Sequence, residues 1–302
     1  MVTAVTVRVP AKVNVQLAVG GRRADGFHDL ANVFLAVGLY DHVTATPADR
    51  LTITAEGRDT ASVPLDESNL AARAAIALAR RHGVAPAVHL HIAKDIPVAG
   101  GMAGGSADGA AALLACDALW GTGTPLKELL EIAGELGSDV PFPLLGGAAL
   151  GVGRGELLTP LEVAGTFHWV FAVADGGLST PEVYRECDRL RREAGHGDGV
   201  ADVPAPAADP ALLAALAAGD APALAAALTN DLQPAALALR PALADTLETG
   251  LGSGALAGIV SGSGPTVAFL VADADAAAKT ASALGPSARV ATAPAAGAAV
   301  LP

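Results

Sequence analysis

Residues 97–108 read Pro97-Val-Ala-Gly-Gly-Met-Ala-Gly-Gly-Ser-Ala-Asp108, and four glycines in this stretch lead into an alanine- and leucine-rich segment. Glycines let the backbone approach an anion closely, and the free N–H groups of a helix N-terminus attract negative charge. Residues 87–93 alternate like a strand, whereas apolar residues recur at helical spacing after Ser106. The pattern predicts a strand, a glycine-rich loop and a helix, an arrangement that binds phosphate.

Two common nucleotide-binding motifs do not describe this loop. A Walker A motif ends in Gly-Lys-Ser or Gly-Lys-Thr, but Gly105 is followed directly by Ser106. The nearest match to a dinucleotide motif, at 250–255, leads into a strand-like segment instead of a helix. Four glycines alone would fit a flexible turn equally well, so the function depends on the other motifs.

The composition limits the class of protein. The chain has 302 residues, enough for two domains, and it is 52% hydrophobic and 17% charged, as is typical of a globular protein. A formal net charge of −12 argues against a broad nucleic-acid surface. No apolar run is long enough for a membrane helix, and nothing indicates an obligate protein partner.

The N-terminal residues and the cysteines bear on the location of the protein. Residues 1–9 alternate like a strand and lack the regions of a signal peptide, so we expect a cytoplasmic protein. Cys116 and Cys187 have neither disulfide nor zinc-motif spacing, and we expect both to be buried small apolar residues.

The order of elements predicts an α+β protein. We expect the first half to form strands near 3–9, 12–19, 31–46, 51–56 and 87–93, and helices near 69–82, 106–120 and 125–136. We expect the second half to form a strand from 167, a helix over 181–194, a surface loop over 195–210, helices near 211–228 and 234–249, two strands flanking a loop at 261–265, an alanine-rich helix and a last strand near 287–292. We place the two domains at 1–158 and 159–302.

Two further motifs lie near the N-terminus. In Pro10-Ala-Lys-Val-Asn, Lys12 and Asn14 are two residues apart in a strand and therefore point to the same face. A solvated strand face would explain this pair by itself. In Arg23-Ala-Asp-Gly-Phe-His, Phe27 and His28 place an aromatic plate beside a ring that can donate and accept hydrogen bonds. Such a turn can hold a flat heterocycle, although loop histidines are usually only exposed.

A third motif, Gly137-Ser-Asp-Val-Pro-Phe, places Asp139 in an otherwise apolar stretch. Capping of a short helix and catalysis explain that carboxylate about equally well. His89 and His91 share a strand face, and a half-exposed strand explains them better than a metal pair.

In this order and spacing, the motifs together with Ser261-Gly-Ser-Gly-Pro resemble the GHMP kinases over most of the chain. The resemblance implies a two-domain fold with the active site in the cleft between the domains. The N-terminal domain would be like domain 2 of ribosomal protein S5, and the C-terminal domain would be a ferredoxin-like α/β plait.

The resemblance also implies a reaction. The ATP γ-phosphoryl group would pass to the tertiary hydroxyl at C2 of a methylerythritol moiety carried by cytidine diphosphate, in the non-mevalonate route to isoprenoid precursors. The implied catalytic residues are Lys12 and Asp139. Ser106 would be a hydroxyl ligand to phosphate or to Mg²⁺.

The remaining site residues are carried over from the same resemblance. ATP would contact Asn69, Lys94, Pro97, Val98, Ala99, Gly100, Gly101, Met102, Ala103, Gly104, Gly105, Ser106 and Ala107. The cytidine-diphosphate substrate would contact Asn14, Phe27, His28, Thr180 and Tyr184. Ala103 and Ala107 stand where many family members have glycine and serine, and a methyl group at Ala103 restricts the loop backbone.

Two alternatives stay open. The chain could be a GHMP kinase for another small alcohol, against which the Phe27-His28 turn argues. It could also be a nucleotide-binding homologue without turnover, against which the retention of both Lys12 and Asp139 argues.

Overall fold

The structure is a computed structural model that describes residues 3–58, 60–98, 100–174 and 176–302. The first part of the chain forms, in order, β1 (Val5–Arg22), β2 (His28–Pro47), β3 (Thr52–Gly57), α1 (Leu70–His82), β4 (Val88–Lys94), α2 (Gly104–Trp120), α3 (Leu126–Leu136), α4 (Pro141–Leu145), β5 (Ala148–Val152) and β6 (Leu157–Leu161). The second part forms β7 (Phe167–Ala172), α5 (Thr180–Glu193), α6 (Pro210–Ala218), α7 (Ala221–Ala227), β8 (Thr229–Asn230), α8 (Gln233–Leu239), α9 (Ala242–Gly252), β9 (Ala257–Val260), β10 (Val267–Val271), α10 (Ala274–Leu284), β11 (Ala288–Ala293) and β12 (Ala299–Val300).

The first sheet is built on the long antiparallel hairpin of β1 and β2. Its strand order is β12-β1-β2-β4-β3, with β5 beside β2, β6 beside β5, and β8 beside β1. The strands predicted over 3–9 and 12–19 are one strand, β1. Proline has no N–H for the ladder, and the register with β2 shifts between Pro10 and Ala11, which accommodates it without ending the strand.

In the second sheet, in the order β11-β7-β10-β9, the central strand β7 packs against a hydrophobic core on each face. Phe167, Trp169 and Phe171 of β7 pack into the hydrophobic core of the first sheet. Val170 and Ala172, which alternate with them, pack into a second core that includes side chains of α5, α8 and α10. The two sheets therefore pack against each other through the aromatic side chains of β7.

Two predicted helices are each divided in the structure. The helix predicted over 211–228 is interrupted at Gly219, with φ 68°, and the side chain of Asp220 accepts a hydrogen bond from the Ala223 N–H at the start of α7. The helix predicted over 234–249 is broken at Arg240-Pro241, because the residue before a proline disfavours the helical conformation.

Several short elements were not predicted: α4, β5, β6, β8 and β12. Each has five residues or fewer and no sustained period, and β8 and β12 exist only because β1 pairs with them. The predicted surface loop over 195–210 lies along β1, where the Gln16 amide donates to the Ala207 carbonyl and accepts from the Asp209 N–H.

The domain boundary at 158/159 stays a prediction. It falls within β6, and β8 and β12 from the later half of the chain join the first sheet. Across the described ranges, no helix is both long and apolar enough to cross a membrane. The cytoplasmic location also stays a prediction.

Candidate active site

A cavity of about 750 Å³ lies where the middle of β1, the start of α2 and the start of α5 converge. The predicted site residues that line it are Lys12, Asn14, Phe27, His28, Gly100, Gly101, Ala103, Gly104, Gly105, Ser106, Asp139, Thr180 and Tyr184. The fold thus brings the glycine loop, the N-terminal motifs and Asp139 to one cleft. Asn69, Lys94, Pro97, Val98, Met102 and Ala107 are not among the lining residues, and Ala99 lies outside the described residues.

Lys12 is held at the floor of the cleft by polar groups. Its ammonium donates to Asn14 Oδ1 at 2.5 Å and to the Gly101 carbonyl at 2.7 Å. The Asn14 amide in turn donates to Asn32 Oδ1 at 2.7 Å. Lys12 is only 3% exposed, and this burial lowers its pKa, an effect that the charge of Asp139 opposes. The alternative of a solvated strand face is therefore wrong for Lys12 and Asn14.

Asp139 faces Lys12 from the loop between α3 and α4. Its Oδ2 lies 3.9 Å from the Lys12 ammonium, and its side chain is 37% exposed. The cap residue of α4 is Val140, with no side-chain cap bond, so Asp139 does not cap that helix. No described residue donates a hydrogen bond to this carboxylate, which leaves it available to a ligand in the cleft.

The glycine loop is tied to the rest of the cleft through Gly101. The Gly101 carbonyl accepts hydrogen bonds from Lys12 and from the Ser261 hydroxyl, the latter at 3.0 Å. Gly101 has φ 76°, and a Cβ there would lie 2.4 Å from the Ser261 carbonyl oxygen. Only glycine satisfies both requirements, because a side chain would strain the backbone and collide with that oxygen.

Helix α2 points its N-terminus into the cleft. It begins at Gly104 with no side-chain cap, so its first N–H groups remain free for an anion. The Ser106 hydroxyl lines the same cavity and makes no hydrogen bond to a described residue. A Cβ on Gly104 would lie 3.2 Å from Ile96, from the Lys94 ammonium and from the Pro97 carbonyl, so this glycine lets the helix start pack tightly on the interior.

Ala103, which precedes α2, has φ 59° and is the sole non-glycine residue with positive φ in the described part of the chain. We expect Ala103→Gly to raise the free energy of unfolding by about 0.5–1 kcal/mol, because the left-handed penalty outweighs the extra chain entropy of glycine. Thermal or urea denaturation measures this change. Ala214→Gly in the right-handed helix α6 is the control and should lower stability by a similar amount. A loss of stability in both variants would contradict the prediction.

Asn69 and Lys94 already have internal partners. The Asn69 side chain caps α1 by accepting from the Ala71 N–H, and it donates to the Pro64 carbonyl. The Lys94 ammonium is buried between Asp41 at 2.5 Å and Asp108 at 2.8 Å. The polar groups of both side chains therefore form hydrogen bonds or ion pairs within the protein. Their contacts with ATP stay a prediction.

The buried cluster of Lys94, Asp41 and Asp108 lies beneath the start of α2. Burial raises the pKa of Asp108 to about 8, because Lys94 only partly offsets the desolvation and Asp41 adds a second negative charge. Burial alone would lower the pKa of Lys94, but the two carboxylates together raise it. This cluster anchors α2 to β2 and β4, and Met102 and Ala107 are buried in the core beside it.

The aromatic turn lies at the other end of the cleft. His28 is buried, and its ring stacks on Tyr184 with centroids 5.1 Å apart and planes inclined by 30°. Phe27 is 51% exposed, and the Arg154 guanidinium lies over its ring at 5.4 Å. Burial, and then the nearby charge of Asp139, raise the pKa of Tyr184.

Several residues of the cleft were not predicted. One of them is Asp188, a buried side chain whose Oδ1 lies 2.9 Å from His28 Nε2. It follows Tyr184 by four residues in α5, a spacing that places both on one helix face and was visible in the sequence. Asn32, Arg154 and Arg185 also line the cavity, and their position there depends on the fold.

The prediction that His89 and His91 lie on a half-exposed strand face is confirmed. His89 hydrogen-bonds to Thr52 and Thr54, and His91 to Thr54, on the outer face of the sheet. Within the described residues, no group of three or more histidine, cysteine or acidic side chains could hold a metal ion. Cys116 and Cys187 are both free and buried, as predicted.

Comparison with known proteins identifies the family of the chain. Residues 69–147 match the GHMP kinases N terminal domain, and residues 212–288 match the GHMP kinases C terminal domain. The chain is 72% identical over 302 residues to 4-diphosphocytidyl-2-C-methyl-D-erythritol kinase of Streptomyces avermitilis, covering 98% of this chain and 99% of that protein. It is 68% identical over 303 residues to the enzyme of the same name in Streptomyces coelicolor, with coverage of 98% and 99%.

Solved structures agree with these relatives. A crystal structure of 4-(cytidine 5'-diphospho)-2C-methyl-D-erythritol kinase matches with a TM-score of 0.77 and 32% identity, over 96% of this chain and 99% of that one. Homoserine kinase from Cytophaga hutchinsonii shares the fold, with a TM-score of 0.73 at 20% identity over 100% and 98% of the two chains. The predicted α+β, two-domain fold is thus confirmed, and the chain belongs to the GHMP kinase family.

Proposed function

We propose that the protein transfers the γ-phosphoryl group of ATP to the 2-hydroxyl of 4-diphosphocytidyl-2-C-methyl-D-erythritol, giving the 2-phosphate and ADP, in the non-mevalonate isoprenoid pathway. The observation that carries the proposal is the approach of Lys12 to Asp139, 3.9 Å apart in a cleft that also receives the N-terminus of α2. The relatives that carry this activity in their names, at 72% and 68% identity, support the choice of acceptor.

The start of α2 would hold the phosphates of ATP. GHMP kinases use ATP as the phosphoryl donor, and the free N–H groups of Gly104 and Gly105 supply a positive end for the triphosphate. Lys12 would stabilise negative charge on the group in transfer, because its ammonium is fixed at the edge of the glycine loop by Asn14 and Gly101.

The cleft also fits Mg²⁺ as nucleotide kinases use it. Magnesium takes oxygen ligands and is commonly held by only one or two protein groups together with substrate phosphates. Among the described residues, none hydrogen-bonds to the Ser106 hydroxyl beside the helix N-terminus, and none donates a hydrogen bond to the Asp139 carboxylate. When bound there, the ion would neutralise part of the phosphate charge.

Asp139 would orient the acceptor hydroxyl and accept its proton late. Phosphoryl transfer is largely dissociative, so alignment of the hydroxyl counts for more than its early deprotonation. The neighbouring ammonium of Lys12 favours the ionised carboxylate, which suits a group that accepts a hydrogen bond from the hydroxyl.

The cytidine end of the substrate would lie against Phe27, His28 and Tyr184, with Asn14 and Thr180 as further polar contacts. Thr180 Oγ1 and Ser263 Oγ are 2.9 Å apart, which brings the start of α5 and the 261–265 loop to the same side of the cleft. The Phe27-His28 turn is also the feature that favours this substrate over another small alcohol.

A direct assay tests the proposal. The purified protein would be incubated with ATP, Mg²⁺ and the cytidine-diphosphate substrate while ADP release is followed and the product is located by ³¹P NMR. We expect one new phosphomonoester per ADP. Parallel reactions with homoserine and mevalonate test the first alternative, and turnover of either in preference to the cytidine substrate would overturn the proposal. ATP binding without any ADP release would support the non-catalytic alternative.

Phe27→Ala tests the stacking role without disturbing the interior, because this ring is half exposed. We expect this substitution to weaken the binding of the cytidine substrate and of its uridine analogue equally, by ~1–3 kcal/mol, because stacking is nearly independent of the hydrogen-bond donors and acceptors of a base. Calorimetry measures both ligands, and Leu65→Ala, an exposed apolar residue outside the cavity, is the control. An unchanged affinity for both ligands would remove Phe27 from the base site.

A further inference from the structure

The ring of His28 is restrained from three directions. The backbone of His28 is fixed at the end of the hairpin, where it pairs with Arg22. One face of the ring lies against Tyr184, and Nε2 lies 2.9 Å from the Asp188 carboxylate. The side chains of His28 and Asp188 are only 5% and 6% exposed, so this contact is shielded from water.

The two ring nitrogens of His28 therefore have different roles. A carboxylate can only accept hydrogen bonds, so Nε2 must carry the hydrogen that Asp188 receives. In the neutral ring, the other nitrogen, Nδ1, is then an acceptor. Nδ1 makes no hydrogen bond to any described residue, and His28 lines the cavity. The acceptor atom is thus the one left to a ligand.

We propose that Asp188 is a positioning residue that sets base selectivity, because it holds His28 in the neutral Nε2–H tautomer and presents Nδ1 as an acceptor to the 4-amino group of cytosine. The inference rests on the proposed function for the presence of a cytidine ligand. Uracil carries an acceptor at the same position, so two acceptors would face each other at the buried His28 ring. Asp188 itself touches no reacting atom.

The test compares cytidine with uridine ligands in the wild-type protein and in variants of Asp188, Glu193 and His28. Asp188→Asn keeps the size of the side chain but can donate as well as accept, so it no longer fixes the tautomer. We expect the ratio of kcat/KM for the cytidine substrate over its uridine analogue, and the ratio of Kd values for CDP and UDP, to fall by roughly tenfold or more. Glu193→Gln, an exposed carboxylate at the end of α5, should leave both ratios unchanged.

A double variant separates a positioning role from a structural one. If Asp188 acts through His28, then Asp188→Asn should not change the ratio further in a His28→Ala background. A merely structural Asp188 would weaken both bases alike and leave the ratio at the wild-type value, which would overturn the inference.

Two measurements keep the inference separate from the proposed reaction. Calorimetry with CDP and UDP needs no turnover, so a protein that prefers CDP but releases no ADP would contradict the reaction and not the role of Asp188. Long-range ¹H–¹⁵N NMR of the labelled wild-type protein should show a protonated Nε2 and an unprotonated Nδ1 in His28. The Nδ1–H tautomer or an imidazolium would overturn the inference, even if the Asp188 variant fails to fold.

Discussion

Asp139→Asn is expected to lower kcat by roughly 10²–10⁴-fold while ATP affinity changes little. The amide cannot accept the proton of the acceptor hydroxyl, and it loses the charge that faces Lys12 at 3.9 Å. Because no described residue hydrogen-bonds to this carboxylate and it is partly exposed, the substitution should not disturb the fold. Single-turnover kinetics with radiolabelled ATP and calorimetry with an ATP analogue measure the two quantities.

Glu135→Gln provides the matched control for Asp139, since it removes an exposed carboxylate from the nearby helix α3. It should leave kcat and ATP affinity at wild-type values. Activity of Asp139→Asn within a few-fold of wild type would exclude Asp139 from the mechanism.

Lys12→Met is expected to depress kcat by roughly 10²–10³-fold and KM much less, as for the loss of one preorganised group that stabilises transition-state charge. Methionine fills a similar volume, and burial already opposes the charged form of Lys12, so most of the fold should survive. The carbonyl of Gly101 would lose one of its two donors, which loosens the link between β1 and the glycine loop.

The control for Lys12 is Lys127→Met, which removes an exposed ammonium from α3 and should leave both kinetic constants unchanged. Circular dichroism and thermal unfolding establish that the Lys12 variant is folded. If kcat stays at the wild-type value and only KM rises, Lys12 contributes to binding and not to the chemical step.

Local sequence predicted the long elements well. Strand β4, the glycine loop and helix α2 follow from alternation, glycine placement and helical period, and these are properties of neighbouring residues. The predictions were wrong where one residue acts against a longer pattern. Gly219 divides an alanine-rich stretch that has high helix propensity on both sides. Pro10, in contrast, does not end β1, because the pairing partner β2 maintains the strand on both sides.

The site divides in the same way. Sequence motifs identified Lys12, His28 and Asp139 as chemically notable, but the partners of these residues depend on contacts between distant segments. The 261–265 loop on the same cleft also depends on a distant segment. Asn230, in a two-residue strand that had no sequence signal, donates hydrogen bonds to the Val260 and Gly262 carbonyls and so shapes this loop.

By itself, the sequence determined most of the long elements, the glycine-rich start of α2 and the residue types available for phosphoryl transfer, because periodicity, glycine placement and side-chain chemistry are local. Only the tertiary structure decided which polar groups meet. It placed Lys12 against Asp139, enclosed Lys94 between Asp41 and Asp108, and set Asp188 against His28. These choices follow from packing, because a buried charge is stable only where the fold supplies a partner.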